Sequence, residues 1–357
     1  MFGVDRAKGR YDGGLSAPSS TQAPSDRFRN VRNWTLIIVT NLVSFLCMYF
    51  VLSGAHINLI WGEVRHMTWH WVMLAVIADV FVYTLQSWRW LLVLKPVETI
   101  SLWTSIRAIY VGLFANEVLP LRAGELIRCF LVSRWSSVPL SVSFASALIE
   151  RIFDGIWLMG CFFITLQVAD LPRVLERAGY ILGIIILIAA AVLAIGMYAR
   201  KQALDLFFGF SFPKWFNTLV EDLHLIGHSR YLYFAFLVSG AFMMAQIIPI
   251  YAVIQAYGLD LDSTLIAAFT MMVLLRLSAV VPQAPGNLGL FQGVAFRTLI
   301  VFGVYGAVAK RFSLILWAVV TIPLIVAGFL VLSLSGSSIA HLHREATSAA
   351  QANRSET

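Results

Sequence analysis

Charged residues are scarce in this chain: lysine, arginine, aspartate and glutamate together make up only 13% of its 357 residues. Hydrophobic residues make up 59%, and the mean hydropathy is +0.79. Because a soluble domain normally carries about 25% charged residues, this composition excludes an ordinary soluble enzyme. The sequence predicts an all-α polytopic membrane protein with about six to eight transmembrane helices.

Cysteine is rare as well, and the three that occur, Cys47, Cys129 and Cys161, fall in or beside apolar runs. An odd number of membrane-buried cysteines predicts neither a disulfide framework nor a metal site. His66 and His70 lie four residues apart, but no acidic third ligand accompanies them, so we expect solvated side chains. No Walker-type loop and no nucleophile motif is present. We therefore expect no metal and no cofactor.

Long apolar runs, by contrast, are abundant. The first begins only at Trp34 and is long enough to span a bilayer, so we expect no cleavable signal. Six runs reach or exceed the roughly 20 residues that a span requires: Trp34–Gly54, Trp69–Leu94, Leu140–Val168, Tyr180–Ala199, Tyr231–Tyr257 and Phe312–Leu334.

The two ends of the chain predict its orientation. Residues 1–33 combine a Ser-, Pro- and Ala-rich stretch with six basic residues, which indicates a disordered basic cytoplasmic tail. Residues 336–357 form a second cytoplasmic tail if the chain crosses the membrane an even number of times. The net charge of +7 then reflects topology and attraction to anionic headgroups rather than a nucleic-acid partner. We expect a multi-pass protein of the cell (inner) membrane, with no soluble segment large enough for a catalytic domain.

Two apolar regions are interrupted. In residues 102–135 the interruption is at Pro120 and Gly124, and a re-entrant hairpin is favoured because it keeps the arginines that follow on the cytoplasmic side. In residues 261–302 the interruption is at 281–289, and either one hairpin or two spans would fit.

The spacing of these interruptions indicates an internal duplication. Pro120 and Pro282 are 162 residues apart, which is close to the spacing of the apolar runs before them. This predicts a transmembrane domain over 34–335 with inverted repeats at 34–168 and 179–335. Between the spans, residues 213–227 have the pattern of an interfacial helix.

Ionisable residues within apolar segments are the candidate functional residues, because each one costs about 2.5–3.5 kcal/mol unless it faces a partner or a water-filled cavity. Asn116, Arg122, Glu125 and Arg128 flank the first interruption. A helix after Pro120 would place two guanidinium groups beside one carboxylate, which suits bidentate contact with phosphate. The alternative is that these charges only hold the hairpin together.

A second cluster consists of Glu150, Arg151 and Asp154 within a single apolar run. Glu150 and Asp154 share a helix face, where they can pair with arginines of the first hairpin or carry a transported proton. A structural Glu150–Arg151 pair is the other interpretation. We interpret Arg89, which lies between two tryptophans near the end of a span, as an interfacial anchor.

The second interrupted region adds five candidate substrate-binding residues. Its glycines allow tight turns and close approach of the backbone to a ligand. The candidates are Arg276, Gly286, Asn287, Gly289 and Gln292.

Three motifs in order carry a family resemblance. They are Asn116-x3-Pro120-x-Arg122-x-Gly124-Glu125-x2-Arg128, Glu150-Arg151-x2-Asp154 and Pro285-Gly286-Asn287-Leu288-Gly289. Together they resemble the lysylphosphatidylglycerol synthase transmembrane family, and the resemblance extends from Trp34 to Leu334. It implies a flippase-like protein that moves an anionic or polyprenyl-linked lipid between leaflets.

The sequence departs from that family in two respects. The third motif usually reads Pro-Gly-Gly-x-Gly followed by a glutamate, whereas here Asn287 replaces a glycine and Gln292 stands where the acid would fall. If that glutamate titrates during coupling, this chain is uncoupled or uses another group. The soluble aminoacyl-transferase domain of synthase members is absent, so lipid aminoacylation is not expected from this polypeptide alone.

The leading functional hypothesis is therefore a lipid flippase or transporter that is not itself an enzyme, with a membrane lipid that has an anionic headgroup as its expected ligand. A membrane-embedded transferase that uses a lipid-linked donor is the first alternative. The second is a non-transporting partner subunit of a lipid-modifying enzyme. The sequence leaves open whether the chain forms a homo-oligomer.

Overall fold

The computed structural model describes residues 46, 48–53, 57–119, 123–169, 173–198, 226–227, 229–279 and 284–334, all within one compact unit. These residues contain α-helices, one short 3₁₀ turn at Pro285–Asn287 and no strand, which confirms the all-α membrane fold class. The helices are α1 (Ile57–His66), α2 (Trp69–Leu94), α3 (Leu102–Val118), α4 (Gly124–Trp135), α5 (Leu140–Val168), α6 (Arg173–Tyr198), α7 (Arg230–Ala245), α8 (Ile247–Tyr257), α9 (Thr264–Ser278), α10 (Leu290–Val301) and α11 (Gly306–Leu334).

Several predictions concern residues that the structure does not describe. These are the tails 1–33 and 336–357, most of the run Trp34–Gly54, most of the interfacial helix 213–227, and the segments 120–122 and 280–283. Arg122 therefore lies outside the described residues.

Three described segments are long and apolar enough to cross a membrane: α2, the pair α7–α8 over Arg230–Tyr257, and α11. The predicted runs Trp69–Leu94 and Leu140–Val168 have the same bounds as helices α2 and α5. α5 is long enough to span but carries three ionisable residues in its middle. α6 begins seven residues before the predicted Tyr180, and α11 begins six residues before the predicted Phe312.

Both interrupted regions fold as hairpins of two packed helices. α3 packs against α4, and α9 packs against α10. The arms contain 17 and 12 residues in the first hairpin and 15 and 12 in the second, whereas a full span needs about 20. The 3₁₀ turn at the tip of the second hairpin packs against α3 of the first, so the two hairpins meet.

The helix packing of the first half has counterparts in the second half. α2 packs on α3 as α8 packs on α9, and α4 packs on α5 as α10 packs on α11. α3 also packs on α11, and α9 on α5, so each half's hairpin is held by the last helix of the other half. Each hairpin therefore contacts the last helix of both halves.

The helical segment 230–257 is broken where proline requires it. Pro249 has no N–H and its ring clashes with the carbonyl group four residues earlier, at Ala245. Helix α7 ends at that residue, and α8 begins two residues later. The intervening Gln246 donates from Nε2 to the Phe242 carbonyl oxygen at 3.1 Å, which satisfies part of the interrupted ladder.

Helix α1 is fixed to the bundle by one carboxylate. Glu63 accepts hydrogen bonds from Arg311 Nε on α11 and from the Tyr257 hydroxyl on α8, both at 2.6 Å. Arg311 is buried, so its charge is neutralised inside the protein rather than lying in an open loop.

Candidate functional site

A buried network of four ionisable side chains joins α2, α4 and α5. Arg89 donates from Nε to Glu150 Oε1 at 3.0 Å and pairs through Nη1 with Asp154. Arg128 Nη2 lies 2.8 Å from the second oxygen of Glu150. Two positive and two negative charges therefore balance within an apolar bundle, which offsets the cost of burying each of them.

The two arginines of this network are also covered by aromatic rings. The Arg89 guanidinium carbon lies 4.8 Å from the ring centroid of Phe242, and that of Arg128 lies 4.8 Å from Trp90. Arg89 is fully buried and also donates to Ser239 at 3.2 Å. The interpretation of Arg89 as an interfacial anchor is therefore wrong, because Arg89 is buried beside two carboxylates of α5. Its two flanking tryptophans gave no information on these carboxylates.

Arg128 differs from Arg89 in its hydrogen bonding. Its three guanidinium nitrogens form no hydrogen bond within the described part of the chain, since the contact to Glu150 is close but poorly aligned. Only 3% of Arg128 is exposed. A buried donor left without an acceptor costs about 1–3 kcal/mol, and more when it is charged, so the hydrogen-bond donors of Arg128 are not satisfied by the described residues.

Arg151 lies on the more open side of the same helix. Its guanidinium is 3.1 Å from Glu125 and 3.8 Å from Asp154, and its side chain is 42% exposed. The described ion pairs of Arg151 are therefore with Glu125 on α4 and with Asp154 on α5. The predicted Glu150–Arg151 pair is not among them. Of the interpretations of Glu150 and Asp154, the contacts favour pairing with arginines, which for Glu150 include Arg128 of the first hairpin.

The arms of the first hairpin cross at two glycines. A Cβ atom on Gly112 would lie 2.8 Å from the Gly124 carbonyl oxygen, and one on Gly124 would overlap the carbonyl of Gly112. The Gly124 N–H donates to Asn116 Oδ1 at 2.9 Å. Asn116 therefore caps the first turn of α4. This hydrogen bond holds the end of α3 close to the start of α4.

The tip of the second hairpin has backbone geometry that only a few residue types adopt. Gly286, Asn287 and Gly289 have φ angles of 72°, 53° and 92°. Asparagine is among the few non-glycine residues tolerated at positive φ. The Gly289 N–H donates to Gln292 Oε1 at 2.6 Å, so Gln292 is a buried helix cap.

Asn287 connects the two hairpins. Its Nδ2 donates to Glu117 Oε1, at the end of α3, at 3.1 Å. The residue that departs from the usual glycine of the motif therefore makes a direct contact between the two hairpin tips. Gly286 is held in turn by Trp317 of α11, whose Nε1 donates to its carbonyl oxygen at 2.8 Å.

A cavity of about 230 Å³ lies between the hairpins. Its walls come from α2, both hairpins, α5, α11 and the break between α7 and α8. The polar and charged residues that line it are Asp79, Tyr83, Gln86, Asn116, Glu117, Glu125, Arg128, Arg151, Gln246, Arg276, Ser278, Asn287 and Thr321.

Six of the predicted site residues line this cavity and five other described ones do not, while Arg122 lies outside the described residues. Glu150 and Asp154 lie behind it in the buried ion network, while Gly286, Gly289 and Gln292 shape the second hairpin tip. The six that line it are Asn116, Glu125, Arg128, Arg151, Arg276 and Asn287.

Several lining residues were not among the predicted site residues. Asp79 is one carboxylate in an otherwise apolar run, a signal that is visible in the sequence. Gln246 comes from the break that Pro249 causes, so that proline was a second usable signal. For Tyr83 and Gln86 no sequence signal separates a cavity wall from an ordinary helix face.

Comparisons with known proteins agree with this architecture. Residues 37–328 match the model of the family described as the lysylphosphatidylglycerol synthase TM region. A UPF0104 membrane protein of Methanothermobacter thermautotrophicus is 21% identical over 308 residues, which cover 78% of this chain and 87% of the relative.

A second similar protein is the glycosyltransferase AglD of Haloferax volcanii, which is 24% identical over 226 residues. The alignment covers 53% of this chain but only 36% of AglD, so the chain matches about a third of that relative's length. The family match over most of the chain, together with the helical membrane fold, assigns this protein to the lysylphosphatidylglycerol synthase transmembrane family.

Proposed function

We propose that this protein is a lipid transporter of the cell membrane, with both termini cytoplasmic, and that it moves an anionic phospholipid or a polyprenyl-linked lipid between leaflets. One observation carries the proposal: the buried Arg128 lines a polar cavity between two hairpins and has no hydrogen-bond acceptor among the described residues. A phosphate oxygen would supply the missing acceptor.

The other cations of the cavity support the same ligand. Arg151 and Arg276 line it from α5 and α9, so guanidinium groups from three helices border one space. Guanidinium groups bind phosphate through paired N–H donors, and such charge-assisted hydrogen bonds are stronger than neutral ones. The amides of Gln86, Gln246 and Asn287 add donors and acceptors for a hydroxylated headgroup.

The arrangement of the halves supports transport rather than simple binding. We propose that the matched helix contacts reflect the inverted repeats predicted over 34–168 and 179–335. In transporters built from such repeats, broken helices meet near the membrane midplane and the two halves move against each other around the site. The contact between Asn287 and Glu117 would be one that opens and closes in this motion.

The test is to identify the bound lipid by native mass spectrometry in mild detergent, with wild type compared with Arg128→Lys. Lysine retains the charge beside Glu150 but lacks the planar paired donors of arginine. We expect one anionic lipid class to be enriched in wild type and to bind about tenfold more weakly to the variant, equivalent to about 1.4 kcal/mol. Arg122→Ala is compared in the same way, because that position belongs to the same motif.

Arg297→Lys is the matched control, since Arg297 is exposed on α10 and does not line the cavity. It should retain the wild-type lipid. Transport is then measured with a fluorescent derivative of that lipid in phosphatidylcholine vesicles, by its accessibility to a reductant outside. Equal amounts of bulk lipid in all variants would contradict the proposal.

A membrane-embedded transferase is the second candidate, because one relative is named a glycosyltransferase. In that case the cavity would hold a lipid-linked donor, and Glu117 or Glu125 would be the catalytic carboxylate. Product formation by the purified protein from a lipid-linked sugar would favour this candidate. Lipid movement in vesicles without any covalent change of the lipid would favour the transporter.

A further inference from the structure

Asp79 is the one buried carboxylate of the described cavity wall that forms neither an ion pair within 4 Å nor a hydrogen bond with any described residue. It lies near the middle of α2 and is only 9% exposed. Each carboxylate of the neighbouring network is paired with arginine, and Glu117 and Glu125 have the contacts described above. Asp79 therefore lacks the compensation that a permanently charged group in a membrane requires.

The second hairpin brings a cation to the cavity that Asp79 lines. Arg276 of α9 lines the same cavity and interacts electrostatically with Asp79. Its guanidinium carbon also lies 5.5 Å from the ring of Phe242, which has Arg89 as another neighbour at 4.8 Å. The charge state of Asp79 thus depends on a cation that also borders the space where a headgroup would bind.

The remaining titratable neighbours of Asp79 are tyrosines. Tyr83 lies one turn further along α2, and Tyr110 faces it from α3, with ring centroids 6.1 Å apart. Within the described residues, the other helices packed against α2, namely α5, α7, α8 and α11, contribute no further charged group that interacts with Asp79. Arg276 is consequently the cation of the described cavity wall that interacts with Asp79.

The formal charges of the described cavity lining give a reason why headgroup binding would be coupled to protonation of Asp79. Three acids (Asp79, Glu117 and Glu125) face three bases (Arg128, Arg151 and Arg276), so the described wall is neutral. A phosphate-bearing headgroup would add negative charge and compete with Asp79 for Arg276. One proton on Asp79 would restore neutrality, which lowers the cost of enclosing the headgroup in a low-dielectric site.

We infer that Asp79 is a proton-binding site coupled through Arg276 to the anionic headgroup, so that lipid and proton move together. The inference rests on the proposed transport function and adds its co-transported ion. The proton is taken from water in the cavity onto a carboxylate oxygen of Asp79 when the headgroup binds, and returns to water when the headgroup leaves. Because linkage is reciprocal, protonation of Asp79 strengthens headgroup binding by the same factor.

This inference also accounts for the altered third motif. Gln292 cannot titrate, and its side-chain oxygen is already engaged with the Gly289 N–H. Glu150 and Asp154 are held by arginines, so neither is suited to exchange a proton during transport. Asp79, in contrast, lines the cavity from the membrane-spanning helix α2 and has no ion-pair partner within 4 Å among the described residues.

The test measures proton uptake on ligand binding. Purified protein in weakly buffered detergent is mixed with dioctanoyl phosphatidylglycerol, and a pH indicator dye reports protons while calorimetry reports binding. We expect wild type to take up close to one proton per bound lipid, Asp79→Asn to take up none, and Asp79→Glu to retain uptake. Dioctanoylglycerol, which lacks phosphate, should cause no uptake.

Asp262→Asn is the matched control, because Asp262 is an exposed aspartate in the connection between α8 and α9. It should behave as wild type, and a size-exclusion profile identical to wild type establishes that Asp79→Asn is folded. Binding of the phospholipid without proton uptake in wild type would overturn the inference and leave the transporter proposal intact. No binding at all would overturn the headgroup class proposed for the cavity and the inference with it.

Discussion

Arg89 on α2 and Arg151 on α5 show how the same residue type has different energetic roles in a buried and in a partly exposed environment. Arg89 is fully buried between two carboxylates, and removal of one partner from such a buried pair typically costs about 3–5 kcal/mol, because an uncompensated charge remains. Arg151 is 42% exposed, and ion pairs in such positions contribute about 0–1 kcal/mol.

We therefore expect Arg89→Met to lower the free energy of unfolding by about 3–5 kcal/mol, and Arg151→Met by no more than about 1 kcal/mol. Denaturation of the purified protein in detergent measures both. The double variant Arg89→Met, Asp154→Asn should recover much of the loss, since Glu150 then remains paired with Arg128 and no orphaned charge is left. Equal effects of the two single substitutions would contradict the assignment of Arg89 to a buried network.

At the scale of the elements, the first hairpin depends on the close approach of α3 and α4. Gly112 faces Gly124, and a Cβ atom on Gly112 would lie 2.8 Å from the Gly124 carbonyl oxygen and 3.0 Å from Arg128 Cβ. Any side chain there must push α4 away, and with it Glu125 and Arg128. The position of these two residues in the cavity therefore depends on two glycines that make no polar side-chain contact of their own.

Gly112→Ala should destabilise the protein by about 1–3 kcal/mol through overpacking and weaken lipid binding at the same time. Gly160→Ala is the matched control, because a Cβ on Gly160 would meet nothing within 4 Å and alanine favours helix by up to about 1 kcal/mol. Thermal unfolding and native mass spectrometry on the same samples separate the two effects. If both variants were destabilised alike, the crossing of the arms would not be the tight contact described.

At the scale of the whole molecule, the hairpins of the two halves touch through Asn287 and Glu117. Each hairpin is also held by the last helix of the other half, since α3 packs on α11 and α9 on α5. If the halves move against each other during transport, the contact between the tips changes. A covalent link at this point should therefore hold the protein in one state.

We expect the double variant Glu117→Cys, Asn287→Cys to lose transport when it is treated with a short bifunctional thiol reagent, and to regain it when a cleavable linker is reduced. The vesicle assay described above measures this loss. Wild type is the control, because its described cysteines Cys129 and Cys161 are buried. Undiminished transport by the fully cross-linked protein would show that the tips do not separate.

The comparison of sequence and structure is clearest in the helices. The apolar runs alone predicted the bounds of α2 and α5 to the residue, because a continuous apolar helix of at least about 20 residues is needed to cross a bilayer. The interruption at Pro120 predicted one hairpin, whereas the interruption at 281–289 left either one hairpin or two spans possible; both predictions used the fact that proline and glycine end helices. The cost of charge in hydrocarbon also singled out Arg128 and Arg276 as candidates.

Only the tertiary structure decided which charges pair and which face the cavity. Arg89 and Glu150 are 61 residues apart, and Asn287 and Glu117 are 170 apart, so local spacing carried no information on either contact. The same residue types thus became buried counter-charges at Glu150 and Asp154 and a cavity-facing acid at Asp79. The reason is physical: sequence periodicity sets which face of a helix a residue occupies, whereas the helix opposite that face is set by packing of the whole bundle.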